Sequence, residues 1–241
     1  MSFDKKNITS IRRISDVSNK SKISKEKSNL AQAQIASILS TKALNKKLDN
    51  IFKLIEESNE NENLLINYID EGEAHIKLNE FKQAASKFAY AHELRSNEPY
   101  ILQRLVLATY KSKEPSELES LMQARTLLAK LFPEESNDPE TTGLAGAIQK
   151  RLWLITQDSV QLDKAIEYYS RGFTIKKDYY NGENLASCLS LKSEIQSESS
   201  QTAFYETAAK NVRLKLYDLI NELISNPDFE DRNDKKWIFA T

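Results

Sequence analysis

Apolar residues recur at spacings of three and four along most of the chain after residue 30, the period of one face of an α-helix. Polar stretches at residues 58–63 and 196–201 interrupt the pattern. The chain has only five glycines and five prolines, too few for the frequent turns of a sheet protein. The sequence therefore predicts an all-α fold. Helices are expected at about residues 30–55, 99–111, 115–131, 139–155, 162–175, 180–195 and 202–224.

Residues 65–99 contain the clearest repeat unit, and its small and large side chains alternate in a defined order. Small residues let two antiparallel helices approach closely, while aromatic residues fill the gaps between their turns. That order fits the tetratricopeptide template of about 34 residues, a pair of helices joined by a turn. The positions that match the template are Tyr68, Gly72, Ala84, Phe88 and Ala91.

Further hairpins follow this unit, because one hairpin cannot bury its own apolar face and needs neighbours. Asp138 and Pro139 form a helix-start signal, with Asp138 as the expected cap. We therefore expect tetratricopeptide-like antiparallel hairpins stacked in a right-handed solenoid over residues 29–241. The apolar run at residues 235–241 opens without a cap and predicts that this domain is truncated at its C-terminus.

The net charge of −1 hides a basic, serine-rich segment at residues 1–28, which we expect to be a flexible tail. It either contacts nucleic acid or anionic lipid, or it is a solvated leader or linker. We favour the second interpretation, because no aromatic residues alternate with its charges as base stacking would require. The single cysteine fits a reducing compartment, and no apolar run is long enough for a membrane span. These features predict a cytoplasmic protein with neither a membrane nor a nucleic-acid partner.

The residue patterns of common enzymes are missing. His75 and His92 are the only histidines, Cys188 has no CxxC partner, and neither a P-loop nor a GxGxxG motif is present. We therefore predict no catalytic residue, no metal site and no cofactor. Gly143 and Gly146 lie three residues apart on one helix, a spacing typical of close helix packing.

Four of the five glycines fall between residues 138 and 186, among an unusual number of polar side chains. Three blocks stand out there: DPETTGLAGAIQKRLW, LDKAIEYYSRGF and DYYNGENLA. Together they resemble the tetratricopeptide-like region known as the TRAF-binding domain of apoptosis signal-regulating kinases, and more strongly the bacterial tetratricopeptide proteins that carry it. The resemblance covers about residues 65–237.

The resemblance implies a non-catalytic scaffold or sensor in a signalling assembly or a bacterial defence system, acting with an effector or signalling protein. It also implies a nucleotide ligand, derived from NAD or of another kind. On physical grounds, arginine and lysine neutralise phosphates, tyrosines offer stacking faces, asparagine pairs with a base or ribose, and helix-start amides accept anions. The candidate ligand-binding residues are Arg104, Glu140, Thr141, Lys150, Arg151, Tyr179, Tyr180 and Asn184, with Lys111 as an additional source of charge.

Two alternatives stay open at this point. The same helices are equally suited to holding a partner peptide in a concave groove, the common use of such repeats. The polar residues also have a purely structural interpretation, in which Lys150 and Arg151 pair with Glu140, Asp178 or Glu183 and the tyrosines pack between repeats.

Overall fold

The computed structural model describes residues 42–229 and Arg232, and it gives side chains from residue 50 except at residues 55–59. All regular secondary structure in this part is helical, which confirms the all-α prediction. The predicted tail at residues 1–28, the predicted domain start at residue 29 and the apolar run at 235–241 lie outside the described residues. The α-helices are α1 (Lys42–Lys77), α2 (Phe81–Leu94), α3 (Pro99–Ser112), α4 (Glu117–Leu128), α5 (Pro139–Thr156), α6 (Ser159–Ile175), α7 (Tyr179–Glu194) and α8 (Ser199–Ile224).

Backbone contacts separate residues 1–62 from residues 63–241. Of the first unit, the described part is the beginning of α1. That helix continues through residues 58–63, where a break was predicted. The prediction was wrong because serine, asparagine and glutamate lower helix propensity only slightly, whereas glycine or proline would be needed to end the helix.

In the second unit, each helix from α2 to α8 packs against the next one in the chain. Helices α3, α5 and α7 also contact one another in succession. Consecutive packed helices of this kind are consistent with a tetratricopeptide-like solenoid, as predicted. Ala84, Phe88 and Ala91 are completely buried, so the template positions of α2 do form its core-facing side. No described helix combines the length and the apolar character needed to cross a membrane.

Side-chain caps fix the starts of the four consecutive helices α4 to α7. Asp138 accepts the amide hydrogens of Glu140 and Thr141 and caps α5, with Pro139 in the first turn, as predicted. Asp178 caps α7 in the same way. Helix α4 begins two residues after Pro115, since Ser116 is its cap. Helices α6 and α8 begin three residues earlier than the apolar pattern predicted, because their polar first turns carry no pattern.

The glycines of α5 and α6 lie where two helices meet. A Cβ atom added to Gly146 would lie 2.9 Å from atoms of the fully buried Tyr169 ring. A Cβ on Gly172 would lie 2.7 Å from the Asn181 side chain and 2.8 Å from Thr142. Both distances are shorter than real Cβ contacts, so only glycine permits this approach. The predicted packing role of the glycine spacing on α5 is confirmed at Gly146.

We predict that Gly146→Ala lowers the free energy of unfolding by about 1–3 kcal/mol, because the ring of Tyr169 has to move. In an unobstructed helix the same change would stabilise the protein by about 1 kcal/mol. Gly143→Ala is the matched control on the same helix, since its nearest contacts are longer, at 3.1 and 3.2 Å. Urea denaturation of the three proteins measures the difference, and a stabilised Gly146→Ala protein would contradict this packing account.

Candidate functional site

Arg151 is the one candidate residue that combines partial burial with a cation–π contact and an incomplete set of partners. Its guanidinium carbon lies 4.9 Å from the centre of the Tyr110 ring, which joins α5 to α3. Its Nη1 donates to the backbone oxygen of Ala147 at 3.0 Å. Among the described residues it forms no ion pair. A guanidinium has five N–H donors, so most of its hydrogen-bonding capacity is unused.

Lys111 adds a second positive charge to this region. Its ammonium lies 5.8 Å from the ring centre of Phe81 and also makes no ion pair within the described part of the chain. Burial lowers the pKa of Lys111, and the nearby charges of Arg151 and Lys113 lower it further. Because neither of these partly buried cations forms an ion pair with a described carboxylate, the pair favours a bound anion.

Aromatic side chains surround Arg151. Burial raises the pKa of Tyr110 to about 12 and the pKa of Tyr180 further, and in both cases Arg151 opposes the shift while Glu140 reinforces it. Tyr110 and Tyr180 therefore each lie within electrostatic range of both Arg151 and Glu140. The Tyr180 ring packs edge-on against Tyr169, with centroids 6.3 Å apart and an interplanar angle of 74°. We call Tyr110, Glu140, Arg151 and Tyr180 the Arg151 cluster.

Glu140 supplies the acceptor of this cluster. Its side chain reaches solvent, yet surrounding protein atoms desolvate the carboxyl group and raise its pKa. The charges of Asp138 and Asp178 add to the shift, and Arg104 opposes it. A carboxylate in this position accepts hydrogen bonds from hydroxyl groups and restricts where an anion can bind.

A carboxylate of the protein itself, that of Asp138, already binds the start of α5. The Asp138 carboxylate accepts the amide hydrogens of Glu140 and Thr141, the hydroxyl of Thr141 and the Gln103 amide. The predicted use of these two amides for a ligand therefore requires displacement of Asp138. Thr141 itself is buried, and it belongs to the capping network.

Arg104 is also held by a carboxylate inside the protein. It is only 2% exposed, and Glu73 holds it from two sides, with Nε–Oε1 at 2.5 Å and Nη2–Oε2 at 2.6 Å. Tyr100 donates to the same carboxylate at 2.8 Å. This network ties α1 to α3, so Arg104 lies close to Glu140 but is used for packing.

Lys150 and Asn184 form a polar bridge between α5 and α7. The Lys150 ammonium donates to Ser187 Oγ at 3.0 Å and to Asn184 Oδ1 at 3.4 Å. Asn184 in turn donates to the backbone oxygen of Tyr180 at 2.9 Å. Tyr179 is buried at the start of α7, away from solvent. The ion pairs of the structural interpretation do not form, because Lys150 contacts neutral groups and Arg151 contacts a ring and a carbonyl.

Of the predicted residues, Arg151 contacts the Tyr110 ring, and Glu140 and Tyr180 lie within electrostatic range of that tyrosine. Arg104, Thr141, Lys150 and Asn184 have hydrogen-bond partners inside the protein, and Tyr179 is buried. Tyr110 was missed. Its signal in the sequence was the spacing of Tyr100, Gln103 and Leu107, which puts Tyr110 on the same face of α3.

Three other residues, Cys188, His75 and His92, carry side chains that serve as nucleophiles or bases in enzymes. Cys188 is fully buried, and burial raises the pKa of its thiol to about 11, so the thiol stays protonated at neutral pH. His75 Nδ1 lies 2.6 Å from the Glu80 carboxylate, and burial lowers the pKa of His92. In residues 42–229 no group of three His, Cys, Asp or Glu side chains is placed to hold a metal ion.

A comparison with known protein families supports the type of fold in this region. Residues 80–189 match the family model TPR-S, described as Tetratricopeptide Repeats-Sensor. The match runs from the end of the turn before α2 to the middle of α7, and it supports a tetratricopeptide-type domain there. It therefore covers all the residues of the Arg151 cluster. No curated protein matches the chain.

We predict that Glu73→Gln lowers the free energy of unfolding by about 2–4 kcal/mol, because it leaves the buried Arg104 without its carboxylate. Glu71→Gln is the matched control two residues away. It removes an exposed ion pair with Lys87 and should cost less than about 1 kcal/mol. Thermal and urea denaturation compare the two variants, and equal effects would refute a structural role for the Glu73–Arg104 pair.

Proposed function

We propose that this chain is a non-catalytic helical-repeat sensor that binds a nucleotide, with NAD-derived molecules such as ADP-ribose as the first class to test. The observation that carries the proposal is the Arg151 guanidinium, which lies over Tyr110 with most of its N–H donors unused and a second cation, Lys111, nearby. Arginine with free donors binds phosphate in a bidentate way.

The rest of the cluster favours a nucleotide over a simple anion. Tyr180 is partly exposed and provides apolar ring surface for a base or sugar, whereas Tyr110 is only 2% exposed and supports the Arg151 guanidinium from inside the protein. Glu140 provides an acceptor for ribose hydroxyls, and its carboxylate keeps the phosphates on the Arg151 side by repulsion. A cation, one accessible aromatic ring and one acceptor match the mixed chemistry of a nucleotide.

A sensor role is supported by what the cluster lacks for catalysis. The tyrosines near Arg151 have raised pKa values, so they are neutral at pH 7, and Cys188 is buried and protonated. No nucleophile with an adjacent base is assembled around Arg151 among the described residues. We propose further that the chain serves a signalling or bacterial defence system in the cytoplasm, where a bound nucleotide changes its contact with an effector protein, and the match to the Tetratricopeptide Repeats-Sensor model supports the sensor part of this proposal.

A second function is favoured by the polar bridge of Lys150, Asn184 and Ser187 between α5 and α7. Rows of such donors hold the backbone or the carboxylate of an extended peptide. In this case Arg151 and Lys111 would bind an acidic partner peptide, and the tetratricopeptide match is compatible with it.

We predict that ADP-ribose or NAD raises the melting temperature of the protein and that Arg151→Gln weakens the binding about tenfold or more, because a charge-assisted bidentate contact is lost. Arg213→Gln is the matched control. It removes the same charge from an exposed arginine on α8 that donates to Ser190. Thermal shift and isothermal titration measure both effects.

The outcome also distinguishes the alternatives. No binding of ADP-ribose, NAD or cyclic nucleotides would reject the nucleotide proposal, and equal loss of affinity in both variants would reject the assigned site. Saturable binding of an acidic peptide that depends on Arg151, without nucleotide binding, would establish the second function. Chemical change of a bound nucleotide on prolonged incubation would contradict the non-catalytic role.

A further inference from the structure

The hydroxyl group of Tyr169 lies close to the Arg151 cluster, and the proposed function gives it no role. Tyr169 is completely buried on α6, and its ring lies against α5 at Gly146. Its hydroxyl oxygen is enclosed and forms no hydrogen bond with a described residue. An unpaired buried hydroxyl costs stability, and native proteins keep few such groups. Phenylalanine would fill the same space without this cost, so packing alone does not account for the hydroxyl.

The neighbours of this hydroxyl include one good acceptor. Burial raises the pKa of Tyr169, and the charge of an ionised Tyr180 raises it further. The other neighbours within electrostatic range are Cys188, Tyr110 and Arg151. Arginine carries only donors, and a thiol is a weak acceptor. A second phenol oxygen is the better acceptor, and among the neighbours Tyr180 acts most strongly on Tyr169.

The two hydroxyls are within reach of each other. The rings of Tyr169 and Tyr180 meet edge-on, with centroids 6.3 Å apart. Burial raises the pKa of Tyr180, whereas a hydrogen-bonding interaction with Tyr169 lowers it, as a donor to the Tyr180 oxygen does. In this structure the pair nevertheless lacks the alignment of a full hydrogen bond.

Tyr180, unlike Tyr169, reaches the surface of the site. Its side chain is partly exposed, and its hydroxyl is not enclosed in the way that the Tyr169 hydroxyl is. Against the effect of burial, Arg151 lowers the pKa of Tyr180, so an anion held by Arg151 lies within range of this hydroxyl. When Tyr180 donates to the anion, its oxygen becomes a better acceptor, because hydrogen bonds in a chain strengthen one another.

We propose that a ligand phosphate at Arg151 accepts a hydrogen bond from Tyr180, and that the Tyr169 hydroxyl then donates to the Tyr180 oxygen and directs the Tyr180 proton toward the phosphate. The inference rests on the proposed nucleotide site. Tyr169 is a positioning residue in this account, because it acts through Tyr180 and does not touch the ligand. Its hydroxyl gains a partner only in the complex, so this internal bond contributes to the affinity.

The test measures ADP-ribose binding to the full chain by isothermal titration. Tyr180→Phe removes the donor and should weaken binding about fivefold, and Tyr169→Phe removes the bond behind it and should weaken binding about threefold. Because the two hydroxyls act in one chain, the double variant should bind no more weakly than Tyr180→Phe alone. Tyr168→Phe is the matched control. It removes the hydroxyl of the adjacent buried tyrosine, which interacts with Glu134, and should leave binding unchanged.

The melting temperature separates positioning from packing. Without nucleotide, Tyr169→Phe should melt no lower than the wild type, because its hydroxyl has no well-formed bond to lose. A lower melting temperature would indicate a structural role and overturn the proposal. Undiminished ADP-ribose binding by Tyr169→Phe, a further loss in the double variant, or equal weakening by Tyr168→Phe would also overturn it while leaving the nucleotide site in place. A wild-type protein that binds no nucleotide would reject the site and this inference together.

Discussion

The close approach of α5 to α6 is the contact on which the rest of the arrangement depends. Gly146 lies against the Tyr169 ring, and Gly172 lies against Asn181 and Thr142, at distances that exclude any Cβ atom. Helix α5 is thereby held between α3 and α7, and it contacts both. That position alone allows Arg151 to reach Tyr110 on α3 while Lys150, the next residue back, reaches Ser187 on α7.

The polar residues around this contact divide by how fully their partners satisfy them. Arg104 is buried but held by Glu73, and Asp138 uses its carboxylate on the α5 cap, so these groups stabilise the fold. Arg151 differs, because it retains hydrogen-bonding capacity that no described residue uses. An anion that binds these donors stabilises the folded protein. The candidate site therefore differs from the residues that support it in how many hydrogen-bond partners the protein supplies, and not in residue type.

The sequence predicts the fold well because its signals are local. The apolar spacing defines the helices, and Asp138 with Pro139 defines the start of α5. It fails at residues 58–63, where polar residues continue a helix without a breaking residue. The site was predicted only in part, since Arg104 and Arg151 look alike in sequence and differ only in whether Glu73 or a tyrosine ring lies opposite.

The central claim is that Arg151, which forms no ion pair with a described residue, binds a phosphate. A crystal structure of the protein with ADP-ribose tests it most directly. The account predicts a phosphate oxygen within hydrogen-bonding distance of the Arg151 guanidinium, with the base or a ribose against Tyr180. A ligand bound elsewhere, or an Arg151 side chain paired with a carboxylate of the protein itself, would contradict it.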